Sequence, residues 1–347
     1  MKKYLFLPLI AFASFIANAQ NKSEKQPYLT KSFARENIST VVSETSGGNI
    51  SVTGVNPSES RVEVFVNQNN SWKKTLSDDE IKSRINEDYD LDVSAVNGKL
   101  TVTATPKHKI TDWKRSLSFS FRIYTPSNVS TKLQTSGGNI TLSNISGNQD
   151  FSTSGGNLAL NTLTGKIKGR TSGGNIHLRD CKDDLNLSTS GGNIQAENSS
   201  GHIHISTSGG SIQLTSLNGD VDARTSGGNI SGESIEGELV AGTSGGNVSL
   251  QKLNCSVKAS TSGGNIDVSV DNPGKYISIN NSAGKVRLTL PKNKGMDLKL
   301  NAMKISTQNL ENFNGTNSKD EINGTVNGGG IPVTVDAGSG KIDVVFD

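Results

Sequence analysis

The chain has 347 residues, a formal net charge of +3 and only 32% hydrophobic residues. An ordinary globular domain contains roughly 45–50% apolar residues, so the composition argues against one large compact core and against a bundle of membrane-spanning helices. The 35 basic residues are nearly balanced by 32 acidic residues. This balance excludes a strongly basic nucleic-acid binder.

Residues 1–19 have the pattern of a secretory signal: two lysines, an apolar run too short to span a bilayer, and the small-residue site Ala17-Asn18-Ala19. The pattern resembles the signals of Bacteroidota. It predicts cleavage near Ala19 and a mature chain with a charge of +1, because Lys2 and Lys3 are removed. No later apolar run is long enough for a membrane span. We therefore expect an extracytoplasmic protein, either periplasmic, secreted or attached to the cell surface.

Residues 20–134 are predicted to form an irregular β start that caps the rest of the chain. Alternating valines indicate a strand at Arg61–Val66. Ser77 and Glu80 form a capping box, which predicts a short helix from Asp78 to about Glu87.

The second half of this segment carries a hairpin signal. Asn97-Gly98 lies between the alternating runs Leu91–Val96 and Lys99–Ala104, as is typical of a two-residue β turn. A further strand is predicted at Leu117–Tyr124. The segment contains four aromatic residues of interest: Trp72, Tyr89, Trp113 and Tyr124. We expect their rings to pack in the core, and the alternative is that they form a specific contact surface.

An 18-residue repeat organises residues 135–272. The motif Thr-Ser-Gly-Gly occurs eight times without an insertion, a ninth copy starts at Thr45, and a degenerate copy occupies residues 281–284. Apolar residues alternate with polar ones after the glycines, as in Ile176 and Leu178, which predicts half-buried strands. Each period then holds two short strands and two turns, and we expect the Gly-Gly-Asn turn to use positive φ angles.

The sequence therefore predicts an all-β fold, a flattened parallel β-solenoid whose 18-residue coils stack at about 4.8 Å. Stacking should align two columns of identical side chains. One column is an asparagine ladder interrupted only by Ser211: Asn139, Asn157, Asn175, Asn193, Asn229, Asn247 and Asn265. The other is a threonine ladder: Thr135, Thr153, Thr171, Thr189, Thr207, Thr225, Thr243 and Thr261. We interpret both as structural, with a ligand-binding array as the alternative.

Residues 273–347 are predicted to form further β coils and a C-terminal cap. Alternating runs indicate strands at five places: residues 276–279, 286–290, 297–300, 333–335 and 341–346. The glycine- and asparagine-rich stretch 312–330 is predicted to be a loop or a weak cluster of turns.

Carboxylate catalysis is the sharpest enzymatic hypothesis. Asp220 and Glu238 are one repeat period apart and should lie side by side on adjacent coils, with Asp222 nearby, in an arrangement that could act on a sugar. The surrounding positions carry few arginines and no rings that would hold a sugar. The sequence therefore predicts no catalytic residue, and these carboxylates are left as an alternative.

Metal and cofactor chemistry is not expected either. The repeat turns carry serine, glycine and asparagine where calcium-binding β-rolls place aspartate. His202 and His204 share a face but lack a third ligand, with His177 on the opposite face. Cys181 and Cys255 would lie about 19 Å apart along the stack, too far for a disulfide, so both are predicted to be free.

The repeated Thr-Ser-Gly-Gly-Asn-Ile-x-Leu pattern, with the signal and the irregular β start, resembles the bacterial putative-adhesin family, a domain-of-unknown-function family of extracytoplasmic β-solenoids. The resemblance covers roughly residues 38–347. It implies the β-solenoid fold and supplies no catalytic residue to carry over. The expected rod has long faces rich in serine, threonine and asparagine and no reaction centre. We therefore expect a non-enzymatic scaffold that acts as an adhesin and binds a surface, a glycan or an envelope protein, with no nucleic-acid partner and no cofactor. Two alternatives stay open: a polysaccharide-processing enzyme that uses Asp220 and Glu238, and a structural or regulatory protein of the envelope.

Overall fold

The computed structural model describes residues 26–68, 76–110, 112 and 115–347. Strands make up most of these residues, and the part of the chain described contains one α-helix. The all-β class predicted from the alternating pattern is confirmed. The signal predicted at residues 1–19 lies outside the described residues.

The first part of the chain forms seven strands, one helix and a 3₁₀ turn at Pro57–Glu59: β1 (Leu29–Ser32), β2 (Thr40–Thr45), β3 (Ile50–Val55), β4 (Arg61–Gln68), α1 (Asp78–Asp88), β5 (Tyr89–Val96), β6 (Lys99–Pro106) and β7 (Leu117–Pro126). The repeat region forms the next twelve strands: β8 (Ser130–Thr135), β9 (Ile140–Ser146), β10 (Gln149–Thr153), β11 (Leu158–Thr171), β12 (Ile176–Arg179), β13 (Lys182–Ser188), β14 (Ile194–Glu197), β15 (Ser200–Thr207), β16 (Ile212–Thr225), β17 (Ile230–Gly242), β18 (Val248–Thr261) and β19 (Ile266–Val270). The last part forms eight strands: β20 (Ile277–Asn281), β21 (Lys285–Leu290), β22 (Met296–Asn301), β23 (Lys304–Gln308), β24 (Phe313–Asn317), β25 (Glu321–Val326), β26 (Ile331–Asp336) and β27 (Lys341–Phe346).

Strands of the repeat region pair in parallel with partners one repeat period away. Leu158 pairs with Ile176, and Ile176 pairs with Ile194. The other half of each coil has the same offset, as Ile167 pairs with Leu185. Side chains of a strand alternate between its two faces, so each column of equivalent residues is buried or exposed as a whole.

Each coil contributes to two layers whose inward apolar side chains form one buried cluster. We call the outward surface of β8, β10, β13, β15 and the second halves of β11, β16, β17 and β18 face A. The outward surface of β3, β7, β9, β12, β14 and the first halves of the same four long strands is face B. These two faces carry the polar residues of the alternating pattern.

At the corner between the two layers, the sequence predicted a turn that separates two short strands, and the structure differs from this prediction. In β11, β16, β17 and β18 pairing continues through the corner, and each is a single strand of 13 or 14 residues. A residue in the left-handed conformation bends the chain at this point in seven successive coils: Asn144, Thr162, Asp180, Asn198, Ser216, Ser234 and Lys252. One left-handed residue turns the chain while its neighbours stay paired.

The glycine pair of the repeat motif does not adopt the left-handed conformation that its sequence suggested. The second glycine is required because successive coils approach each other closely at this position. A Cβ atom on Gly174 would overlap the main-chain carbonyl of Gly156 in the preceding coil, and the same overlap recurs at every second glycine of the array. The first glycine has room, since a Cβ atom on Gly173 would lie 3.7 Å from the nearest oxygen, that of Ser154.

This difference predicts opposite outcomes for two neighbouring substitutions. Gly174→Ala should lower the free energy of unfolding by about 3 kcal/mol, because the overlap is with main chain that a side chain cannot relieve. Gly173→Ala is the matched control and should change it by about 0.5 kcal/mol or less. Denaturant unfolding followed by circular dichroism measures both, and equal losses would contradict the close-approach explanation.

The first coil of the N-terminal segment, formed by β2 and β3, is inserted between two later coils. β2 pairs in parallel with β8 on one side and with β6 on the other. β3 likewise pairs with β9 and β7. The first coil of the sequence, residues 40–55, therefore lies between residues 130–146 and a coil formed later in the chain by β6 and β7.

Antiparallel strands complete this end. β4 pairs with β7, β1 with β4, and β5 with β6. The predicted hairpin at Asn97-Gly98 is confirmed, with φ angles of 50° and 77°. The predicted helix is confirmed as α1, and its capping box is formed by Ser77 and Glu80.

The C-terminal end repeats this insertion. The offset between paired strands exceeds the repeat period by two positions where Ile277 pairs with Val257. The last coil of the sequence, β26 and β27, then pairs with β20 and β21 on one side and with β22 and β23 on the other. The first coil, residues 40–55, and the last coil, β26 and β27, are thus each held between two other coils.

The prediction of a loop at residues 312–330 was wrong over most of its length. β24 and β25 form an antiparallel pair, and β25 also pairs with β22. Gly315 lies opposite Gly324 in this pair, and a Cβ atom on either would overlap the main chain of the partner strand. These glycines permit close strand pairing, whereas sequence alone indicated turns.

Candidate functional site

The threonine of each repeat motif is buried and joins two coils. The Thr171 hydroxyl donates a hydrogen bond to the carbonyl oxygen of Gly156 (2.7 Å) and accepts one from the N–H of Gly174 (3.2 Å). Both bonds recur along the column from Thr135 to Thr261. The threonines therefore contact glycine main chain and not one another, and Asn281 takes over the donation in the degenerate copy.

The asparagine column lies outside the core and uses its side-chain oxygens. Oδ1 of Asn157 accepts a hydrogen bond from the main-chain N–H of Asn175 (2.7 Å), and Oδ1 of Asn175 accepts from Asn193 (2.8 Å). The series starts at Asn49 and ends at Lys285, and it passes through the hydroxyl of Ser211. Each amide thus bonds to the main chain of the next coil.

The two columns should differ in their energetic contributions. Thr171→Val removes a buried hydroxyl, so the carbonyl of Gly156 and the N–H of Gly174 lose their hydrogen-bond partner. This substitution should lower the free energy of unfolding by about 2 kcal/mol. Asn175→Ala exposes one N–H to water and should cost about 0.5 kcal/mol. Denaturant unfolding compares them, with Thr171→Ser as the control that retains the hydroxyl, and a larger loss for Asn175→Ala would contradict this assignment.

Asp220 and Glu238 lie directly opposite each other on face A, on adjacent coils. Each carboxylate has another partner. Oδ2 of Asp220 lies 3.1 Å from Nδ1 of His202, and Glu238 accepts a hydrogen bond of 2.9 Å from the Tyr276 hydroxyl. Burial and the bond to Glu238 both raise the pKa of Tyr276, so this hydroxyl keeps its proton at neutral pH.

The surroundings of these carboxylates favour charge pairing over acid–base catalysis. The Asp220 side chain is 65% exposed. The general acid of a glycosidase usually lies in apolar surroundings, which raise its pKa. In the next row, Asp222 lies 3.4 Å from His204 and 2.8 Å from Arg224. Face A therefore presents an open row of paired charges.

The histidines and cysteines are placed separately. His177 lies on face B, 4.0 Å from Glu197, whereas His202 and His204 are on face A. Among the residues described, no group of three or more His, Cys, Asp or Glu side chains could hold a metal ion. Cys181 and Cys255 are free and buried, as predicted, and burial raises the pKa of Cys255 to about 12.

The irregular N-terminal segment contains the rings for which a contact surface was the alternative. Tyr89 is a core residue, because its ring packs 4.8 Å from Phe119 and its hydroxyl accepts a hydrogen bond from Leu117. Tyr124 is half-buried on face B, under the Arg61 guanidinium at 3.7 Å. Trp72 and Trp113 lie outside the described residues.

Phe65 and Arg122 are surface residues that the sequence pattern did not single out. The Arg122 guanidinium lies over the Phe65 ring, 4.7 Å from its centroid. The two side chains border a depression of about 350 Å³ on face B, together with Ser51, Ser120 and Thr141. Phe65 belongs to β4 and Arg122 to β7, and only the antiparallel pairing of these strands brings them together.

A second depression of about 270 Å³ continues from the first. Thr141 borders both, and the second also contacts Ala159, His177 and Arg179. Arg179 donates two hydrogen bonds to one oxygen of Glu197, at 2.6 and 3.0 Å, and thereby lowers the pKa of that carboxyl. We call the two depressions together the face B cleft.

The fold and these surfaces define a repeat protein made of stacked β coils with open, solvent-facing sides. Residues 179–345 match the family described as Toastrack DUF4097. This match confirms the resemblance to a putative-adhesin domain of unknown function over that part of the chain.

The chain was also compared with solved structures and with curated protein sequences. The crystal structure of a putative cell adhesion protein from Clostridium sporogenes is similar at 11% identity, covering 92% of this chain and 98% of that one, with a TM-score of 0.17. Comparison with curated protein sequences finds no match. Among the described residues, no helix combines the length and apolar character needed to cross a membrane.

Proposed function

We propose that this protein is a non-enzymatic scaffold that acts outside the cytoplasm and binds a surface, a glycan or an envelope partner along its sides. Its working form is the mature chain after cleavage near Ala19, folded as a flattened β-solenoid. The asparagine and threonine ladders have a structural role in this proposal. Recognition belongs to the residues between them.

The observation that supports the proposal is that each coil contains constant residues that contact the next coil and variable residues that face outward. The repeated threonine, second glycine and asparagine bond or pack against the neighbouring coil. The outward residues of faces A and B vary from coil to coil, as in the row that contains Thr141, Ala159 and His177. Constant residues therefore build the stack, and variable residues give each side its own chemistry.

The length of the stack also supports a scaffold role. Twelve consecutive parallel pairings join the strands from β6 to β22. At about 4.8 Å per step they extend over about 58 Å. A side of this length can contact an extended partner or span a distance within an envelope.

A polysaccharide-processing enzyme is the second candidate, favoured by the adjacent carboxylates of Asp220 and Glu238. A structural or regulatory role in the envelope is the third. Both share the extracytoplasmic location with the leading proposal. The enzyme would differ from it by cleaving its ligand, and the structural or regulatory protein would differ from it in the identity of its partner.

Deletion of the gene should reduce adhesion of the cells to host or abiotic surfaces, and the purified mature chain should bind an immobilised surface glycan without changing it. An adhesion assay with complementation and a glycan array measure this, and size-exclusion chromatography of the glycan detects cleavage. Unchanged adhesion together with an empty array would contradict binding. Cleavage that is lost in Asp220→Ala or Glu238→Ala would establish the enzyme instead, and capture of an envelope protein alone would favour the third role.

A further inference from the structure

We infer that the face B cleft binds a linear acidic glycan, with a carboxylate of the sugar chain held by Arg122. This inference rests on the proposed binding function and specifies its site and the class of its ligand. It follows from the register, the walls and the charge of the cleft.

The register makes the cleft long and straight. Arg122, Ser51, Thr141, Ala159 and His177 lie opposite one another on five successive strands, β7, β3, β9, β11 and β12. Four steps of about 4.8 Å give a row of about 19 Å along the axis of the stack. This length suits an extended ligand better than a single small molecule.

The walls combine one aromatic ring with several hydroxyl groups. Phe65 is half-buried at one end, and Ser51, Ser120 and Thr141 provide hydroxyls beside it. Sugar rings have apolar C–H faces and polar edges, so they suit a surface where an apolar side chain adjoins hydrogen-bonding groups. Most other large rings that the structure describes are core residues, such as Phe119, Phe121 and Phe151.

The charge of the cleft indicates an acidic ligand. Arg122 is exposed, and its guanidinium lies over the Phe65 ring, which restricts its orientation. A planar guanidinium held in place binds a carboxylate with two parallel hydrogen bonds. At the other end, Glu197 offsets the charge of Arg179. Glu63 lies opposite Arg122 on β4 and pairs with Arg61 at 2.9 Å. The acidic ligand class therefore depends on Arg122.

A peptide ligand fits this surface less well. An extended peptide gains affinity by adding to the edge of a sheet, where main-chain groups are unpaired. The cleft lies across the face of β3, β7, β9 and β11, and these strands are paired on both sides. A glycan needs no main-chain partner and contacts side chains alone.

Binding should be measured by titration calorimetry with oligosaccharides of three acidic polymers, polygalacturonate, alginate and hyaluronan, at low salt. At least one tetrasaccharide or longer fragment should bind, and its methyl ester should bind about tenfold more weakly, a difference of about 1.4 kcal/mol, because the ester cannot form charged hydrogen bonds with Arg122. Arg122→Gln should cause a loss of similar size. Arg170→Gln, an exposed arginine on face A, is the matched control and should leave affinity unchanged.

The outcomes separate this inference from the proposed function. If an acidic glycan binds but Arg122→Gln and Arg170→Gln behave alike, the cleft is the wrong site and the scaffold function stands. If none of the three acidic polymers binds while the array finds a neutral glycan, the ligand class is wrong. Phe65→Ala provides a second variant: circular dichroism should show an intact fold and calorimetry a weaker complex, and full affinity would overturn the role of the ring.

Discussion

The close contact between glycine main chains of successive coils is the constraint on which the rest of the structure depends. At the second glycine of each motif there is no space for a Cβ atom, because the carbonyl of the equivalent glycine in the preceding coil occupies it. This contact brings the turn close enough for the threonine hydroxyl and the asparagine oxygen to reach the neighbouring coil. One small residue per coil therefore permits the strand spacing of about 4.8 Å at the turn, at which the one-period register of the strands continues from coil to coil.

The sequence predicted well what depends on local, repeated patterns. The regular spacing of the motif indicated a strand offset of one period, and the capping box at Ser77 and the Asn97-Gly98 turn indicated α1 and the β5–β6 hairpin. The capping box and the turn are read from neighbouring residues, and the repeat period is read from the recurrence of one motif, so none of these signals requires knowledge of tertiary contacts. The free state of Cys181 and Cys255 followed from the same spacing, since residues several coils apart cannot approach.

Other features depend on contacts between distant segments and could not be read in this way. The glycine pair looks like a turn signal, but the need for glycine arises from the neighbouring coil, one full period away in the sequence. β24 and β25 look like a glycine-rich loop until their antiparallel pairing is known. The insertion of residues 40–55 between two later coils has no local signal. Neither has the contact of Phe65 with Arg122, which depends on the antiparallel pairing of β4 with β7.

The division between constant and variable positions links this architecture to function. The residues that recur in every period hold the coils together, so the outward rows can change without disturbing the stack. Face A carries paired charges around Asp220 and Glu238, and face B carries an aromatic ring, hydroxyls and arginines around one cleft. The chain thus presents two chemically different sides.

The most direct test of the account is a set of distances between spin labels along one column of the stack. Labels would be placed on the exposed residues Ser154, Ser226 and Ser262, in a chain whose two buried cysteines are replaced by alanine. In a regular stack, positions 154 and 226 should be separated by about 19 Å and positions 154 and 262 by about 29 Å, because each coil adds about 4.8 Å. Distances that do not increase in proportion to the number of coils would contradict it.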